Sequence, residues 1–120
     1  MDKKDLEKIK KIIGDRKDAH KLLLEKNSEV YKSFLDLEQK TFSDGSLSKK
    51  YKELIAIGIS LVIDCESCLE WHISKSLECG ASEDQVLEAI EVGMEMGGGL
   101  ATVSSRFALK VLEYYGQKDF

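Results

Sequence analysis

Lys49-Lys50-Tyr51-Lys52-Glu53-Leu54-Ile55-Ala56-Ile57-Gly58-Ile59-Ser60-Leu61-Val62-Ile63 decides how this chain folds. Ser48 stands before it as an N-cap, and from Leu54 onward the run is apolar on nearly every side of a helix. A helix apolar all round belongs in a core. In a chain of 120 residues it calls for cover from a partner subunit as well as from its own fold. Gly58 would let another backbone approach it closely. A bilayer span needs roughly 20 apolar residues, and Leu54 to Ile63 is far short of that, so no membrane role is expected.

Downstream, Asp64 to Cys68 reads as a break or tight turn. The helix that follows carries His72 and ends at Gly80, a good C′ residue. Ser82-Glu83-Asp84-Gln85 is a capping box opening a helix with Val86, Ile90, Gly93 and Met94 on its inner face. Gly97-Gly98-Gly99 ends that helix, and a last one from about Leu100 to Tyr115 brings Val103, Phe107, Leu109, Val111 and Leu112. Upstream, Leu6, Ile9, Ile12 and Ile13 give an amphipathic first helix, interrupted at Gly14-Asp15. Ser28 caps a helix carrying Val30, Tyr31, Phe34, Leu35 and Leu37, and Ser43-Asp44-Gly45-Ser46 is a turn. No period-2 strand pattern interrupts this series. The expected fold is all-α, a compact bundle of about six helices in one domain over residues 1–120, with residues 1–26 as an N-terminal helical arm.

Composition agrees with that reading. Hydrophobic residues make up 42% and charged residues 33%, ordinary for a globular protein, and proline, the strongest helix breaker, is absent. A net charge of −4 argues against a nucleic-acid surface, which needs a basic face. Met1 to Lys11 mixes charges with single apolar residues and does not read as a signal peptide, so a cytoplasmic location is expected. In that compartment paired cysteines are more often catalytic or metal-binding than structural.

Cys65-Glu66-Ser67-Cys68-Leu69-Glu70-Trp71-His72 puts two thiols three apart and an imidazole four further on. On a helix these positions share a face. A helix N-terminus and a neighbouring histidine both favour the thiolate, which is the reactive species. Cys68, with His72 one turn later, is the better-activated thiol, and Cys65 is the partner that closes a disulfide. Glu53 is the one acid on the apolar stretch Tyr51 to Ile63. If the helices flanking Asp64 fold back as a hairpin, Glu53 lies roughly 17 Å before the turn and His72 roughly 12 Å after it. Glu53 is then either a buried carboxylate partnered by His72 or an exposed first-turn acid favoured by the helix dipole.

Glu53, eleven residues, Cys65, two residues, Cys68, three residues, His72 resembles the signature of the alkylhydroperoxidase D-like proteins of the carboxymuconolactone decarboxylase superfamily. The resemblance extends from about Asn27 onward through Val30-Tyr31-Lys32-Ser33-Phe34, the Asp44-Gly45 turn, Lys52-Glu53-Leu54-Ile55, Gly80-Ala81-Ser82 and Met96-Gly97-Gly98-Gly99. It implies an all-helical subunit assembled as a homo-trimer or homo-hexamer. It also implies a peroxidase or disulfide-reductase site with no bound cofactor. Carried over by position, Cys68 is the attacking thiolate, Cys65 resolves it, and His72 with Glu53 forms the proton relay. The substrates implied are a hydroperoxide or a disulfide, and the reductant a thiol, lipoyl or thioredoxin-like partner. Well-studied members carry histidine or an aromatic residue just before the second cysteine, where this chain has Ser67. A hydroxyl cannot shuttle a proton at neutral pH as an imidazole can, so dithiol–disulfide exchange is less affected than peroxidase action.

Three other functions compete. Zinc could take Cys65, Cys68, His72 and Glu53 as one tetrahedral set. A decarboxylase-like lyase would not need the cysteine pair. A non-catalytic oligomeric module would be indifferent to alkylation of either thiol. C-type haem is excluded, because its histidine directly follows the second cysteine. Among the remaining residues, Cys79, Met94 and Met96 are expected to pack in the core, His20 to be solvated, and Trp71 to pack at a core or subunit face.

Overall fold

The computed structural model describes residues 1–116; residues 117–120, which the single-domain reading includes, lie outside the described residues. Five helices follow one another: α1 (Lys3–Glu25), α2 (Glu29–Thr41), α3 (Lys49–Val62), α4 (Glu66–Glu78) and α5 (Glu83–Gly116). No strand occurs among the described residues. The expected break at Gly97-Gly98-Gly99 is present: α5 is two helical segments that meet at a kink at Gly98 (φ 68°, ψ −145°), and because they run on as one element the count is five instead of about six. Only glycine takes that conformation without a steric cost. The expected interruption at Gly14-Asp15 does not occur, since α1 runs straight through. An interior glycine costs a helix only about 1 kcal/mol, less than the rest of α1 contributes.

Helix ends follow the sequence signals closely. Ser28 Oγ accepts from the Tyr31 amide, and the Ser82–Gln85 capping box makes both its bonds, at 3.0 and 3.1 Å. Ser48 occupies the N-cap of α3 without bonding through its side chain. Asp44 Oδ1 instead takes the amide of Lys49, the first residue of α3, at 2.7 Å, a charge-assisted bond supplied by the turn. Three helices, α1, α3 and α4, end in the same motif. The residue after the C-cap adopts positive φ (Asn27 55°, Asp64 55°, Gly80 92°), and paired 6→1 and 5→2 backbone bonds close the last turn.

The core lies where α3, α4 and α5 meet, around Ile57, Leu61, Leu69, Ile73, Val86 and Ile90, with Ile9 of α1 fully buried beside them. Two glycines bring α3 and α5 together. A Cβ at Gly93 would sit 3.0 Å from the Gly58 carbonyl oxygen and 2.9 Å from Leu61 Cδ2. Helix α3 is not covered all round within one chain: Ile57 and Leu61 are buried, whereas Ile55, Ile59, Val62 and Ile63 remain exposed. They continue with Val92 and Met96 of α5 into an apolar groove. Met96, expected in the core, is likewise exposed, as are Val103 and Leu109, because the core takes the other face of α5 through Ala101, Ala108 and Val111. Helix α2 contributes no buried residue and packs against α1. It stands away from α4 and leaves a groove between them.

Candidate functional site

The end of α3 and the start of α4 share one residue. Cys65 donates its backbone N–H to Ser60 O as the last member of the α3 terminal motif, and it is also the N-cap of α4. Its position is thus fixed from both sides. As N-cap, its sulfur accepts the Cys68 N–H at 3.2 Å. Cys68 is the third residue of α4, and the two cysteines are joined in a disulfide with their Cα atoms 5.2 Å apart. Both sulfurs lie at the positive end of α4, where any charge released by reduction is favoured.

His72 follows Cys68 by one turn. Its Nδ1 lies 2.8 Å from Glu53 Oε2, and Lys49 Nζ donates to Glu53 Oε1 at 3.0 Å. Glu53 is therefore the buried member of the two alternatives, only 1% exposed. Burial pushes its carboxyl up, but the hydrogen bonds and charges of His72 and Lys49 prevail and hold it below the ordinary glutamate range. An ionised carboxylate only accepts, so His72 Nδ1 carries the hydrogen of this bond. The Phe42 ring lies 5.2 Å from the imidazole and helps to hold its plane. The structure thus brings Cys65, Cys68, His72 and Glu53 together.

Cys68 and His72 open into the groove between α2 and α4, a cavity of about 550 Å³ with Tyr31, Phe34, Leu35 and Trp71 as its apolar walls. His20 is exposed as expected, yet its Nδ1 pairs with the Tyr31 hydroxyl at 2.6 Å at the same groove. Trp71 is half-buried between Arg16 and Lys75, whose cationic groups lie 5.1 and 4.4 Å from its ring. Cys79 is a free thiol, half-buried at the C-cap of α4 rather than packed in the core, because that position faces the helix end. No three His, Cys, Asp or Glu side chains among the described residues converge as a metal-ligand set, and Cys65 and Cys68 are bonded to each other.

Two residues at this site were not singled out from the sequence. Glu70 is 1% exposed and is bound by Arg16 Nη1 at 2.5 Å and by the Tyr115 hydroxyl. The same Arg16 reaches Ser67 through Nη2, at 2.9 Å from its carbonyl oxygen and 3.1 Å from Oγ. The signal was present in the periodicity. Glu70 falls on the buried side of α4 with Leu69 and Ile73, and Arg16 continues the stripe of Ile9, Ile12 and Ile13. A buried acid in phase with an apolar face demands a cation.

Comparisons with known proteins give a consistent picture. The sequence model of the carboxymuconolactone decarboxylase family matches residues 28–111. The chain is 40% identical over 81 residues to uncharacterized protein 4 in the cox locus of Paracoccus denitrificans, covering 68% of this chain and 73% of that protein. Its fold superposes on the apo crystal structure of a carboxymuconolactone decarboxylase family protein from Legionella pneumophila. The TM-score is 0.86 at 27% identity, over 92% of this chain and 98% of that one. A family member from Thermotoga maritima, for which a part in antioxidative response has been suggested, aligns with a TM-score of 0.81 at 25% identity, over 89% of this chain and 91% of that one. Among the described residues, no helix is long and apolar enough to cross a membrane.

Proposed function

The chain belongs to the carboxymuconolactone decarboxylase family, and from that premise we propose that it is a thiol oxidoreductase of the alkylhydroperoxidase D-like kind, cycling Cys65 and Cys68 between dithiol and disulfide. One observation carries this reading. The disulfide at the α4 N-terminus opens on a groove beside an imidazole whose Nδ1 is tied to a buried carboxylate.

With a hydroperoxide, Cys68 passes its thiol proton to His72, and the thiolate attacks the terminal peroxide oxygen, which keeps its hydrogen. The O–O bond breaks, Cys68 becomes a sulfenic acid, and the alcohol leaves with a proton delivered by His72. Cys65 then attacks the Cys68 sulfur, forming the disulfide and releasing water. An external dithiol reduces it, returning two thiols and leaving as its own disulfide. Glu53 keeps the imidazole in one tautomer and stabilises it when protonated. Ser67 Oγ is held by Arg16 and supplies no group that titrates near neutral pH, which favours disulfide exchange over vigorous peroxide turnover.

The same reading includes a homo-oligomer closed over the exposed apolar face of α3 and α5, and a reducing compartment such as the cytoplasm to reset the pair. Mass spectrometry after peroxide treatment of the reduced protein tests the chemistry. Cys68→Ser is expected to abolish turnover, and Cys65→Ser to accumulate a sulfenic acid or mixed disulfide on Cys68. Equal, small effects from both substitutions would remove the basis of the proposal.

A further inference from the structure

Arg16 stands in α1, outside the stretch matched by the family's sequence model, yet it grips Ser67, the second of the two residues between the cysteines. Its guanidinium spans two groups. Nη1 faces the buried carboxylate of Glu70, and Nη2 faces the carbonyl and hydroxyl of Ser67. The cation is thus the nearer charge to the turn that carries the sulfurs, with Glu70 behind it. The Ser67 carbonyl belongs to the peptide unit whose N–H, that of Cys68, donates to Cys65 Sγ. A cation on the oxygen of a peptide polarises its N–H, and hydrogen bonds in such a chain strengthen one another. Negative charge on sulfur is stabilised at the far end.

We infer that Arg16 is a positioning residue of the Cys65–Cys68 centre, which holds the Ser67–Cys68 peptide and, through it, stabilises the dithiol form so that the disulfide is the stronger oxidant. The inference rests on the redox reading of the pair. Stabilising the thiolate makes a dithiol harder to oxidise and raises the potential of the couple. Losing the cation therefore has a definite sign: a lower potential and a smaller thiolate fraction at neutral pH.

Other groups also face the pair. Lys17 and His20 come from α1, and Tyr31 and Glu38 from α2. His72 lies on α4 with Glu53 of α3 behind it, while Glu66 pairs with Lys8 and Asp64 with the Ser104 hydroxyl of α5. All of these stay unchanged in the variants below, so differences report on Arg16 and Glu70.

The test compares full-length wild type, Arg16→Met, Arg16→Met with Glu70→Gln, and Arg16→Lys. Two quantities are read: the thiol–disulfide equilibrium constant against a glutathione buffer, and the pH midpoint of alkylation of the reduced pair. Arg16→Met leaves Glu70 buried without its cation, with only the Tyr115 hydroxyl, so the double variant covers the case in which the single one does not fold. Arg16→Met is expected to shift the equilibrium constant about tenfold towards disulfide, equal to about 30 mV for a two-electron couple, and to raise the alkylation midpoint. The double variant shifts the same way by less, and Arg16→Lys, keeping the charge, stays within about threefold of wild type. Wild-type values of both quantities in the folded neutral variants overturn the inference. Cys68→Ser measured alongside keeps the two ideas apart. If it abolishes turnover while the Arg16 variants match wild type, the inference about Arg16 fails alone. If Cys68→Ser leaves turnover intact, the redox reading itself fails.

Discussion

Replacing Glu53 with glutamine preserves the shape of the side chain and removes its charge from a site that is 1% exposed. The carboxylate accepts one hydrogen bond from His72 and one from Lys49. The first is charge-assisted and sheltered, a class that contributes about 1.5–3 kcal/mol. Lys49 is 38% exposed on its side chain, so its i,i+4 pairing adds only about 0.3–0.5 kcal/mol. Glutamine can still accept from one partner, but its amide then turns a donor towards the other. A net loss of about 2 kcal/mol at pH 7 follows, or about 8 °C in Tm for a chain of this length. The loss depends on pH with a fixed sign. Because the folded carboxyl sits below its ordinary 4.5, the wild-type advantage is complete above that value. It vanishes as the pH falls through the lowered folded value, where Glu53 takes up a proton and resembles the amide. Urea unfolding of both proteins at pH 7, 5, 4 and 3 reads the gap directly. A gap that stays constant down to pH 3, or none at pH 7, refutes the reasoning.

Ser82→Ala removes one half of a capping box far from the cysteines, and is expected to cost about 1 kcal/mol in urea unfolding with turnover unchanged. Gly93→Ala places a Cβ against Leu61 and the Gly58 carbonyl and should cost about 1–3 kcal/mol. Gly14→Ala meets nothing within 4 Å and should stabilise by up to about 1 kcal/mol, so thermal melts of the two alanine variants move in opposite directions. Ile59→Asp puts a charge on the uncovered apolar face of α3, and sedimentation is expected to show a smaller assembly than wild type. Identical sedimentation would detach that face from oligomer formation.

Local features were legible in the sequence because short-range geometry determines them. Cys65, Cys68 and His72 share a face by helical spacing alone, and Ser28, Gly80 and the Ser82–Gln85 box are helix ends written in a few consecutive residues. Glu53 stayed open between two readings because its burial depends on how α3 folds back on α4, which spacing along one helix cannot decide. Arg16 and Glu70 meet across 54 residues of chain, and only the packing of α1 on α4 joins them. The outer faces of α3 and α5 read as core because an apolar residue carries no mark of which surface will cover it. Gly14 reads as a break and proves an ordinary helical residue, since propensity is a small cost that a long helix overrides.

The Arg16–Glu70 pair bears on where this protein begins as a functional unit. The sequence model of the family matches from residue 28, after the whole of α1. The contacts of the site reach further back, to Arg16 and Ile9. A fragment cut at the similarity limit would strip the cation from a carboxylate that is 1% exposed and remove Ile9 from the core in the same stroke. The fold shared with the Legionella pneumophila relative covers 92% of this chain, so structure extends the kinship past the residues that the sequence model matches.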